Sequence, residues 1–429
     1  MLVAFNVGNF KSIKETQTLS LVKSNSDEKI ESHVISTENQ DGSSSPSLLK
    51  SVAIYGPNAS GKSTLIQAMA AMRSIVMGSA TAQAGSEIPV IPFAFGLDTL
   101  NEPTMFEAIF VRDKIRYQYG FEATTNRIHS EWLYAFPKGR SQRWFTREFD
   151  KDTQKYNYEF GDKLRGQRGV WEAATRPDAL LLSTAVQLNS EQLKPVYDWF
   201  KYGLKVISNH SFHSHEYTSK RCNDSFKVSI LKFMKAADFA IADFEIEQRN
   251  YSLESFPEEL PSDFRNFLFE NVKDQKEYTV SAIHRTEQGS FPMPFELESD
   301  GTRKMFNIAG HWLDALNEGR ILVVDELHDK LHPFLVRYLV DAFHNPELNT
   351  NGAQLVFTTH ETSILSQNVF RRDQIWFSER DTNQASKLYP LTDFSPKKGQ
   401  DNLERSYLGG RYGAVPSIKK MVSIFYGNA

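Results

Sequence analysis

The sequence has 429 residues and a net charge of −4, with 40% hydrophobic and 24% charged residues. Such a chain can form two or three globular domains, and its overall charge does not attract nucleic acid or an anionic membrane. Its one cysteine, Cys222, excludes an internal disulfide and suits a reducing compartment, and no apolar run reaches membrane-spanning length. We therefore expect a soluble, cytoplasmic protein without a membrane partner.

The first hundred residues predict strands at 2–7 and 17–22, followed by a polar, serine-rich loop over 23–47. The apolar, β-branched run at 52–55 predicts a buried strand. Apolar side chains at helical spacing come next: Leu65, Met69, Met72 and Val76. This stretch therefore has the order strand, glycine-rich turn, helix.

The turn carries the phosphate-loop pattern G-x-x-x-x-G-K-[ST]. The residues that we expect to bind a nucleotide are Gly56, Asn58, Gly61, Lys62, Ser63 and Thr64. Glycine lets the backbone wrap a polyphosphate with its N–H groups pointing inward, and the helix N-terminus adds partial positive charge. Lys62 would reach the β- and γ-phosphates of ATP and take part in catalysis, while Ser63 would bind Mg²⁺. The alternative is a glycine-rich turn without a ligand, and the strand before the pattern and the helix after it disfavour a chance match.

The rest of the chain changes pattern twice. Short alternating runs from 105 to 149 predict an antiparallel meander, and mixed helices follow to about 277. From about 294, strands alternate with helices, which favours a mainly parallel α/β sheet covered by helices. The strands are expected at 321–324, 354–358, 375–377 and 387–391, and the helices at 302–318 and 333–343. The predicted organisation is an N-terminal lobe (1–100), a β-meander (101–160), a mainly helical insertion (161–290) and a C-terminal lobe (291–429).

Two acids follow the apolar strand at 321–324. At the carboxyl end of that strand Asp325 would hold Mg²⁺, and Glu326 would polarise the attacking water. The same pattern also occurs where a strand simply leaves the core. The glycine loop earlier in the chain favours the catalytic interpretation.

Two weaker motifs flank these acids. In S-D-G-T at 299–302, Ser299 can cap a helix and Gly301 permits a tight backbone, so that the N–H groups of the helix start would bind an anion. His360 follows the strand at 354–358, where it would touch a γ-phosphate. The alternatives are an ordinary helix cap and a structural histidine.

The motifs occur in the order found in one family: phosphate loop, S-D-G-T, V-D-E-L-x-x-x-L-H-P and strand-T-T-H. They resemble ABC-type ATPase heads of the SMC and OLD kind, particularly the stand-alone ATPases of bacterial anti-phage systems such as RloC, Septu and PARIS. The resemblance covers about 1–100 and 294 to the end. It implies an ABC-type P-loop head of mixed, mainly parallel sheet with an antiparallel β-subdomain, split by the meander and the helical insertion.

The resemblance also implies residue roles. Ser299 and Gly301 would contact the γ-phosphate of a nucleotide held by a second copy, so that two chains stack head to tail around two ATP molecules. His360 would be the switch histidine, catalytic together with Glu326. Lys11, in N-F-K-S at 9–12, would lie beside the nucleotide where relatives have arginine. The glutamine that touches Mg²⁺ in ABC heads stays unassigned, because only Gln83 lies in a plausible region.

Three further segments have open interpretations. His210, His213, His215 and Cys222 are candidates for a metal site, although their spacing matches no recognised ligand set. The meander mixes basic and aromatic residues, as nucleic-acid surfaces and half-solvated sheets both do. The members of that set are Lys138, Arg140, Arg143, Arg147, Trp132, Tyr134, Trp144 and Phe145. The glycine-rich tail at 406–416 suits either partner docking or packing on the head.

We therefore predict a cytoplasmic ATPase that acts as a nucleotide-gated switch or sensor in anti-phage defence. The last residues show no nuclease motif, so a separate effector, a nuclease or toxin, is expected to be the partner. The alternative is a DNA-binding repair or recombination clamp, and a third possibility is a scaffold that binds nucleotide and hardly hydrolyses it. The sequence does not reveal the trigger, the effector or the resting oligomer.

Overall fold

A computed structural model describes residues 1–207, 214–222 and 224–417. The chain forms two compact units. The first contains residues 1–208, 316–328 and 339–429, and the second contains 209–315 and 329–338. Each unit is therefore assembled from segments far apart in the sequence.

The strands and α-helices are numbered in chain order. The strands are β1 (Leu2–Gly8), β2 (Gln17–Ser20), β3 (Val34–Glu38), β4 (Ser44–Leu49), β5 (Ser51–Tyr55), β6 (Thr104–Arg112), β7 (Ile115–Ala123), β8 (Ile128–Phe136), β9 (Gln142–Asp150), β10 (Lys155–Phe160), β11 (Leu204–Ile207), β12 (Asp243–Asn250), β13 (Lys276–Thr286), β14 (Gly289–Pro294), β15 (Ile321–Val324), β16 (Gln354–Thr358), β17 (Ile375–Arg380) and β18 (Ser386–Pro390). The helices are α1 (Ile30–His33), α2 (Lys62–Gly78), α3 (Arg168–Ala174), α4 (Leu181–Gln187), α5 (Lys194–Asp198), α6 (Glu216–Arg221), α7 (Asp224–Ala236), α8 (Ser262–Val272), α9 (Asp300–Glu318), α10 (Pro333–His344) and α11 (Leu403–Leu408).

The first unit contains a six-stranded sheet in the order β11-β15-β16-β5-β17-β18. Its strands pair in parallel except at β18, which is antiparallel to β17. Three of the four inner strands, β15, β16 and β5, are buried along their whole length, as expected for a parallel sheet covered on both faces. The predicted mainly parallel α/β sheet is confirmed, including the strands expected at 52–55, 321–324 and 354–358.

Strand β11 was not predicted. It lies in a stretch that the sequence pattern assigned to helices, directly after a π-helical turn at Trp199–Gly203. It pairs in parallel with β15 at the edge of the sheet, Leu204 opposite Ile321. Four residues are too few for a periodic pattern, so this strand depends on its pairing partner rather than on its own sequence.

A seven-stranded antiparallel sheet forms the other layer, in the order β10-β9-β8-β7-β6-β1-β2. The predicted meander is confirmed as β6 to β9, and β10 extends it. The two strands predicted at 2–7 and 17–22 are β1 and β2; they pair with each other, and β1 also pairs with β6 and so joins the meander. The reason is burial, since almost every residue of β1 is covered and needs a paired strand on both sides.

Helix α2 joins the two sheets through one hydrophobic core. The four residues predicted at helical spacing, Leu65, Met69, Met72 and Val76, are all buried in it. Strands β1 and β5 contribute Val7 and Ile54 to the same core. The helix that begins at the glycine loop is therefore fixed from both sides.

Residues 23–47 were expected to form a loop, which is wrong for most of the segment. It contains α1 and a β3–β4 hairpin with a register shift between Ile35 and Thr37. The hairpin buries Val34, Leu48 and Leu49. The sequence does not predict this hairpin, because too few of its positions are apolar to give an alternating strand pattern.

The second unit contains both helices and strands. Its three-stranded antiparallel sheet has the order β12-β13-β14. Within the region predicted to hold mixed helices, residues 224–236 form α7 and residues 262–272 form α8. No residue of α8 is fully buried.

A buried ion pair attaches α4 to the meander. Glu131 and Arg147 are completely buried, with Arg147 Nη1 at 3.8 Å from Glu131 Oε2. The Glu131 carboxylate accepts hydrogen bonds from the N–H groups of Leu181 and Leu182 at 2.6 and 3.0 Å, and so caps the N-terminus of α4. Arg147 donates to the carbonyl oxygens of Ala179 and Arg176. Burial raises the pKa of Glu131, which Arg147 opposes.

Replacing Arg147 should destabilise the first unit strongly. Arg147→Met leaves the Glu131 charge buried without a cation, which costs about 3–5 kcal/mol. Urea unfolding measures the loss as a lowered midpoint. The matched control is Arg143→Met on the same strand, whose ion pair with Glu159 is half-exposed and contributes less than about 1 kcal/mol. Equal shifts for the two variants would show that the buried pair has no special role.

Candidate nucleotide site

The three neighbouring strands β15, β16 and β5 end at one edge of the parallel sheet. The glycine loop follows β5, the acids follow β15, and His360 follows β16. Ligand sites in open α/β sheets lie at the carboxyl ends of the strands. The pairing of strands thus brings three separate motifs to the same place in the first unit.

The glycine loop has a backbone that only glycine adopts without strain at two positions. Gly56 has φ +154° and Gly61 has φ +103°. A Cβ on Gly56 would lie 2.2 Å from the carbonyl oxygen of Ser378, which is fixed backbone of β17. The Ser378 hydroxyl donates to the carbonyl oxygen of Ser60 at 2.9 Å and holds the loop against β17. The loop is therefore rigidly supported by the sheet.

Lys62 opens α2 and is almost fully buried. Its Nζ donates to the carbonyl oxygens of Gly56 and Pro57 at 2.8 and 2.9 Å. Burial lowers the pKa of Lys62 to about 8, although the carboxylates of Asp325 and Glu326 act in the opposite direction. Because burial penalises the charged form, a further anion near the ammonium would stabilise it. The other expected nucleotide contacts are close in sequence: Ser63 and Thr64 are half-buried and Asn58 is exposed.

The two acids are linked by Thr358 at the end of β16. The Thr358 hydroxyl donates to Asp325 Oδ1 at 2.6 Å and accepts from the Glu326 N–H at 2.8 Å. Glu326 has φ +51°, a left-handed conformation that is uncommon for a glutamate. A fully buried hydroxyl thus orients one carboxylate and fixes the turn that carries the other. Sequence reasoning missed Thr358, and only its place two residues before His360 marks it.

His360 lies beside the same acids. Its backbone N–H approaches His328 Nδ1 at 3.4 Å, and the two rings meet edge to face with centroids 5.4 Å apart. Burial lowers the pKa of His360 to about 4; Lys62 and His328 lower it further, and Glu326 acts in the opposite direction. The imidazole is therefore neutral at pH 7 and offers a single N–H donor. No sequence motif singled out His328.

The N-F-K-S segment lies against the glycine loop. The hydroxyls of Ser12 and Thr64 are 2.9 Å apart, and Ser386 donates to Ser12 at 2.8 Å. Lys11 instead reaches α2, where its Nζ donates to Gln67 Oε1 at 2.8 Å. The resemblance emphasised Lys11, whereas the residue of this segment that touches the loop is Ser12.

Ser299 and Gly301 belong to the second unit. Ser299 precedes α9 and accepts a hydrogen bond from the Thr302 N–H at 3.1 Å, which is a helix N-cap. Its hydroxyl also lies 2.7 Å from that of Thr302. Asp300, in the first turn, pairs with Lys330 at 3.2 Å. The expected cap is confirmed, and it orients the first N–H groups of α9 outward along the helix axis.

The proposed histidine metal site receives no support from the described residues. His210 and His213 lie outside them. His215 Nδ1 is 3.2 Å from the Ser219 hydroxyl, and burial raises the pKa of Cys222 to about 11. Across the described parts of the chain, no group of three or more His, Cys, Asp or Glu residues has a metal-binding arrangement.

The nucleic-acid set on the meander is divided by the structure. Arg147 and Phe145 are completely buried and cannot contact a nucleic acid. Arg143 pairs with Glu159, whereas Lys138 and Arg140 are exposed. Lys138 and Arg140 lie in the turn before β9. Arg143 lies on the other side of a register shift in the β8–β9 pairing, which separates it from Phe145 and Arg147. The expected surface is smaller than the sequence suggested.

The glycine-rich tail packs on the first unit. Tyr407 of α11 stacks on Phe377 with ring centroids 5.3 Å apart, and its hydroxyl donates to the Ala414 carbonyl at 2.8 Å. Tyr412 is buried, and its carbonyl accepts from the Tyr389 hydroxyl at 3.0 Å. Of the two interpretations of this segment, the structure shows packing on the head.

Comparison with known proteins identifies a family. A family model described as "AAA domain, putative AbiEii toxin, Type IV TA system" matches residues 51–366, most of the chain. The chain belongs to this family. The matched span contains the glycine loop, both acids and His360 of this AAA-domain protein.

Among solved structures, the protein is similar to the SMC head domain from Thermotoga maritima, at 12% identity and a TM-score of 0.40 over 91% of this chain and 98% of that chain. It is also similar to a structure titled SmcHead bound to the C-winged helix domain of ScpA, at 12% identity and a TM-score of 0.38 over 90% of this chain and 96% of that chain. No curated protein matches it. Within the described residues, no helix is both long and apolar enough to cross a membrane.

The lowered pKa of Lys62 predicts a pH-dependent affinity for ATP. A polyphosphate requires the protonated ammonium, which the nucleotide-free protein loses as the pH rises through about 8. Affinity should fall by about twofold from pH 7 to 8 and then by up to about tenfold per pH unit. Equilibrium binding of a fluorescent ATP analogue measures it. Lys62→Arg does not titrate in this range and should give a flat profile; a wild-type profile that is flat to pH 10 would contradict the assignment.

Thr358→Val should weaken the function of Asp325 and Glu326 while both carboxylates remain in the protein. The hydroxyl orients the candidate Mg²⁺ ligand Asp325, and loss of such an orienting group costs about 10- to 100-fold in metal affinity or activity. We expect ATP turnover to need a correspondingly higher Mg²⁺ concentration. The control is Thr359→Val, since the neighbouring buried hydroxyl accepts from the Glu361 N–H and does not touch the acids. If both variants need the same increase in Mg²⁺ concentration, Thr358 has no specific role in orienting Asp325.

Proposed function

We propose that this protein is a cytoplasmic, Mg²⁺-dependent ATPase, which hydrolyses ATP to ADP and phosphate and acts as a nucleotide-gated switch. The observation that carries this proposal is the meeting of Lys62, Asp325, Glu326 and His360 at one edge of the parallel sheet. Membership of the AAA-domain family supports nucleotide binding. The rigid glycine loop and the buried lysine fit a polyphosphate in shape and in charge.

The triphosphate would be held by the glycine loop and the start of α2. Lys62 would exchange two carbonyl acceptors for oxygens of the β- and γ-phosphates, an exchange that its burial favours. Thr64, supported by Ser12, would complete the phosphate contacts. Ser63 and Asp325 are the residues that would hold Mg²⁺. When bound, this ion neutralises charge on the phosphate oxygens.

Glu326 and His360 have complementary roles in the proposal. Glu326 would accept a proton from the attacking water, and the turn fixed by Thr358 keeps its position constant. His360, neutral because of its low pKa, would donate one N–H to the γ-phosphate without adding a second buried cation next to Lys62. Both side chains then act on the same phosphate from neighbouring strand ends.

A second copy would supply the last contacts. Ser299, Gly301 and the first N–H groups of α9 form a site that attracts an anion, and we propose that it closes on the γ-phosphate bound by the partner chain. Two such contacts would make a symmetric, head-to-tail dimer that excludes water around both nucleotides. Hydrolysis would open it, so ATP would act as a reversible clamp.

The closed and open dimers would control a separate effector. The family description names a toxin and a toxin–antitoxin system, which supports a setting in which this protein governs a toxic partner. We propose a role in anti-phage defence, with kinship to stand-alone ATPases of the OLD, RloC, Septu and PARIS kind. The burial of Arg147 and Phe145 favours this function over a DNA clamp. ATP turnover that DNA stimulates in low salt would favour the clamp instead.

Substitutions of Lys62 and Glu326 test the proposed switch. Lys62→Ala should abolish ATP binding, because the loop loses its one buried ammonium. Glu326→Gln should bind ATP normally and accumulate a dimer. Its rate of ATP hydrolysis should be lower than that of the wild type by a factor of about 100 or more. Turnover assays and size-exclusion chromatography with ATP and Mg²⁺ measure both effects. A Glu326→Gln protein that turns over at the wild-type rate would remove Glu326 from its assigned role.

The contribution of the second copy is tested at Ser299 in the Glu326→Gln background. Ser299→Asp keeps a good helix cap but places a negative charge against the γ-phosphate. It should bind ATP and fail to dimerise. Ser299→Thr keeps both the cap and the hydroxyl and should dimerise. If Ser299→Asp dimerises as well, the partner's nucleotide is not sealed by this helix.

A further inference from the structure

One loop of the first unit, residues 87–102, exposes apolar side chains on a rigid frame. Phe95 and Leu97 are 66% and 92% exposed, and Ile91 and Leu100 are also exposed. Buried residues alternate with them, among them Val90 and Phe93. Apolar side chains that a well-anchored loop directs outward, clustered within ten residues, mark an interaction surface rather than a core. We call this segment the docking loop.

The docking loop is held by hydrogen bonds from within and from the N-terminal segment. Asn9 donates through Nδ2 to the carbonyl oxygens of Thr99 and Glu102 at 2.9 and 2.8 Å, and its Oδ1 accepts from the Phe93 N–H at 2.9 Å. The Thr99 hydroxyl contacts the carbonyl oxygens of Phe93 and Gly96 at 2.8 and 2.9 Å. A surface fixed in this way loses little entropy when a partner binds.

The charge of the docking loop selects the partner. No lysine or arginine occurs between Arg73 and Arg112, whereas Glu87, Asp98 and Glu102 are exposed in the loop. Lys14, from the neighbouring segment, pairs with Asp98 at 3.6 Å and offsets part of this charge. An apolar surface with an acidic rim complements a partner with apolar side chains surrounded by lysine or arginine. It repels the phosphates of nucleic acid.

The same N-terminal segment connects the docking loop with the nucleotide site. The Lys11 N–H donates to the Ile91 carbonyl oxygen at 2.8 Å. On the other side, Ser12 contacts Thr64 in the first turn of α2, and Lys11 Nζ contacts Gln67 of the same helix. Residues 9–12 therefore touch both the loop that displays the apolar surface and the helix that carries the phosphate site.

We propose that the docking loop binds a basic, amphipathic helical segment of a separate protein and that residues 9–12 couple this binding to the nucleotide. The proposal rests on the nucleotide-gated switch proposed above and assigns the surface by which the switch meets its effector. ATP in the phosphate loop changes the contacts of Ser12 and Lys11, and this alters the position of the docking loop that they hold.

A synthetic helix of about 20 residues, with leucine on one face and lysine elsewhere, serves as the probe. Its binding to the full-length protein is measured by fluorescence anisotropy. We expect binding that weakens as NaCl is raised, and at least tenfold weaker binding to Phe95→Ser/Leu97→Ser. The matched control, Phe267→Ser/Leu408→Ser, removes side chains that are 61% and 62% exposed elsewhere and should bind as the wild type does. A twin peptide with glutamate in place of lysine should not bind.

Equal binding of the lysine peptide to the docking-loop variant and to its control would overturn the docking surface, as would equal binding of the two peptides. Sedimentation velocity tests a second copy as the occupant: if Phe95→Ser/Leu97→Ser alters self-association of the nucleotide-free protein, the surface joins copies of this chain and the separate partner is excluded. Coupling predicts at least about a fivefold change in peptide affinity with a non-hydrolysable ATP analogue, and the same factor in analogue affinity with peptide. An unchanged affinity would overturn the coupling.

The ATPase rate separates the two proposals. The docking-loop variant should hydrolyse ATP at the wild-type rate, because the loop contributes no group to the phosphate site. If the wild-type protein binds the lysine peptide through the loop yet hydrolyses no ATP, the switch fails and the surface stands. If it hydrolyses ATP while the loop variant binds peptide like the wild type, the surface alone fails.

Discussion

The parallel pairing of β16 with both β15 and β5 is the constraint on which the candidate site depends. It places Val324 beside Phe357 and Thr358 beside Ile54, so that three strands end in register. The glycine loop, the acids and His360 each leave one of these ends. A shift of two residues in either pairing would move a motif by about 7 Å, farther than any hydrogen bond in the site. The register of a buried sheet is thus the first determinant of the chemistry.

Burial gives the grouped side chains their electrostatic character. It lowers the pKa of both Lys62 and His360, with opposite consequences at neutral pH. The lysine remains mostly charged, because its pKa is about 8, whereas the histidine is neutral. One cation and one neutral donor therefore face the two acids, and an added phosphate finds a site with an ammonium already desolvated. Thr358 occupies one oxygen of Asp325 with its own hydroxyl.

The chain divides its candidate functions between two units. The phosphate loop, both acids and His360 lie in the first unit, and the capped start of α9 with Ser299 lies in the second. The docking loop lies in the first unit, where residues 9–12 contact both this loop and α2. A nucleotide would then influence two surfaces at once, one for a second copy and one for another protein. This arrangement suits a switch, because the docking loop contains none of the groups proposed to act on ATP.

The sequence by itself determined the glycine loop, the acidic strand, the meander and the parallel sheet. These features depend on local conformation and on continuous or alternating apolar runs, which neighbouring residues specify. It did not determine the edge strand β11, the hairpin within 23–47 or the place of β1 in the meander. Nor did it identify Thr358 as the link between the acids or Ser12 as the contact of the glycine loop. Only the tertiary structure decided these. Apart from the β3–β4 hairpin, each depends on hydrogen bonds between segments separated by tens of residues or more, and a short or polar segment carries no periodic signal of its partner.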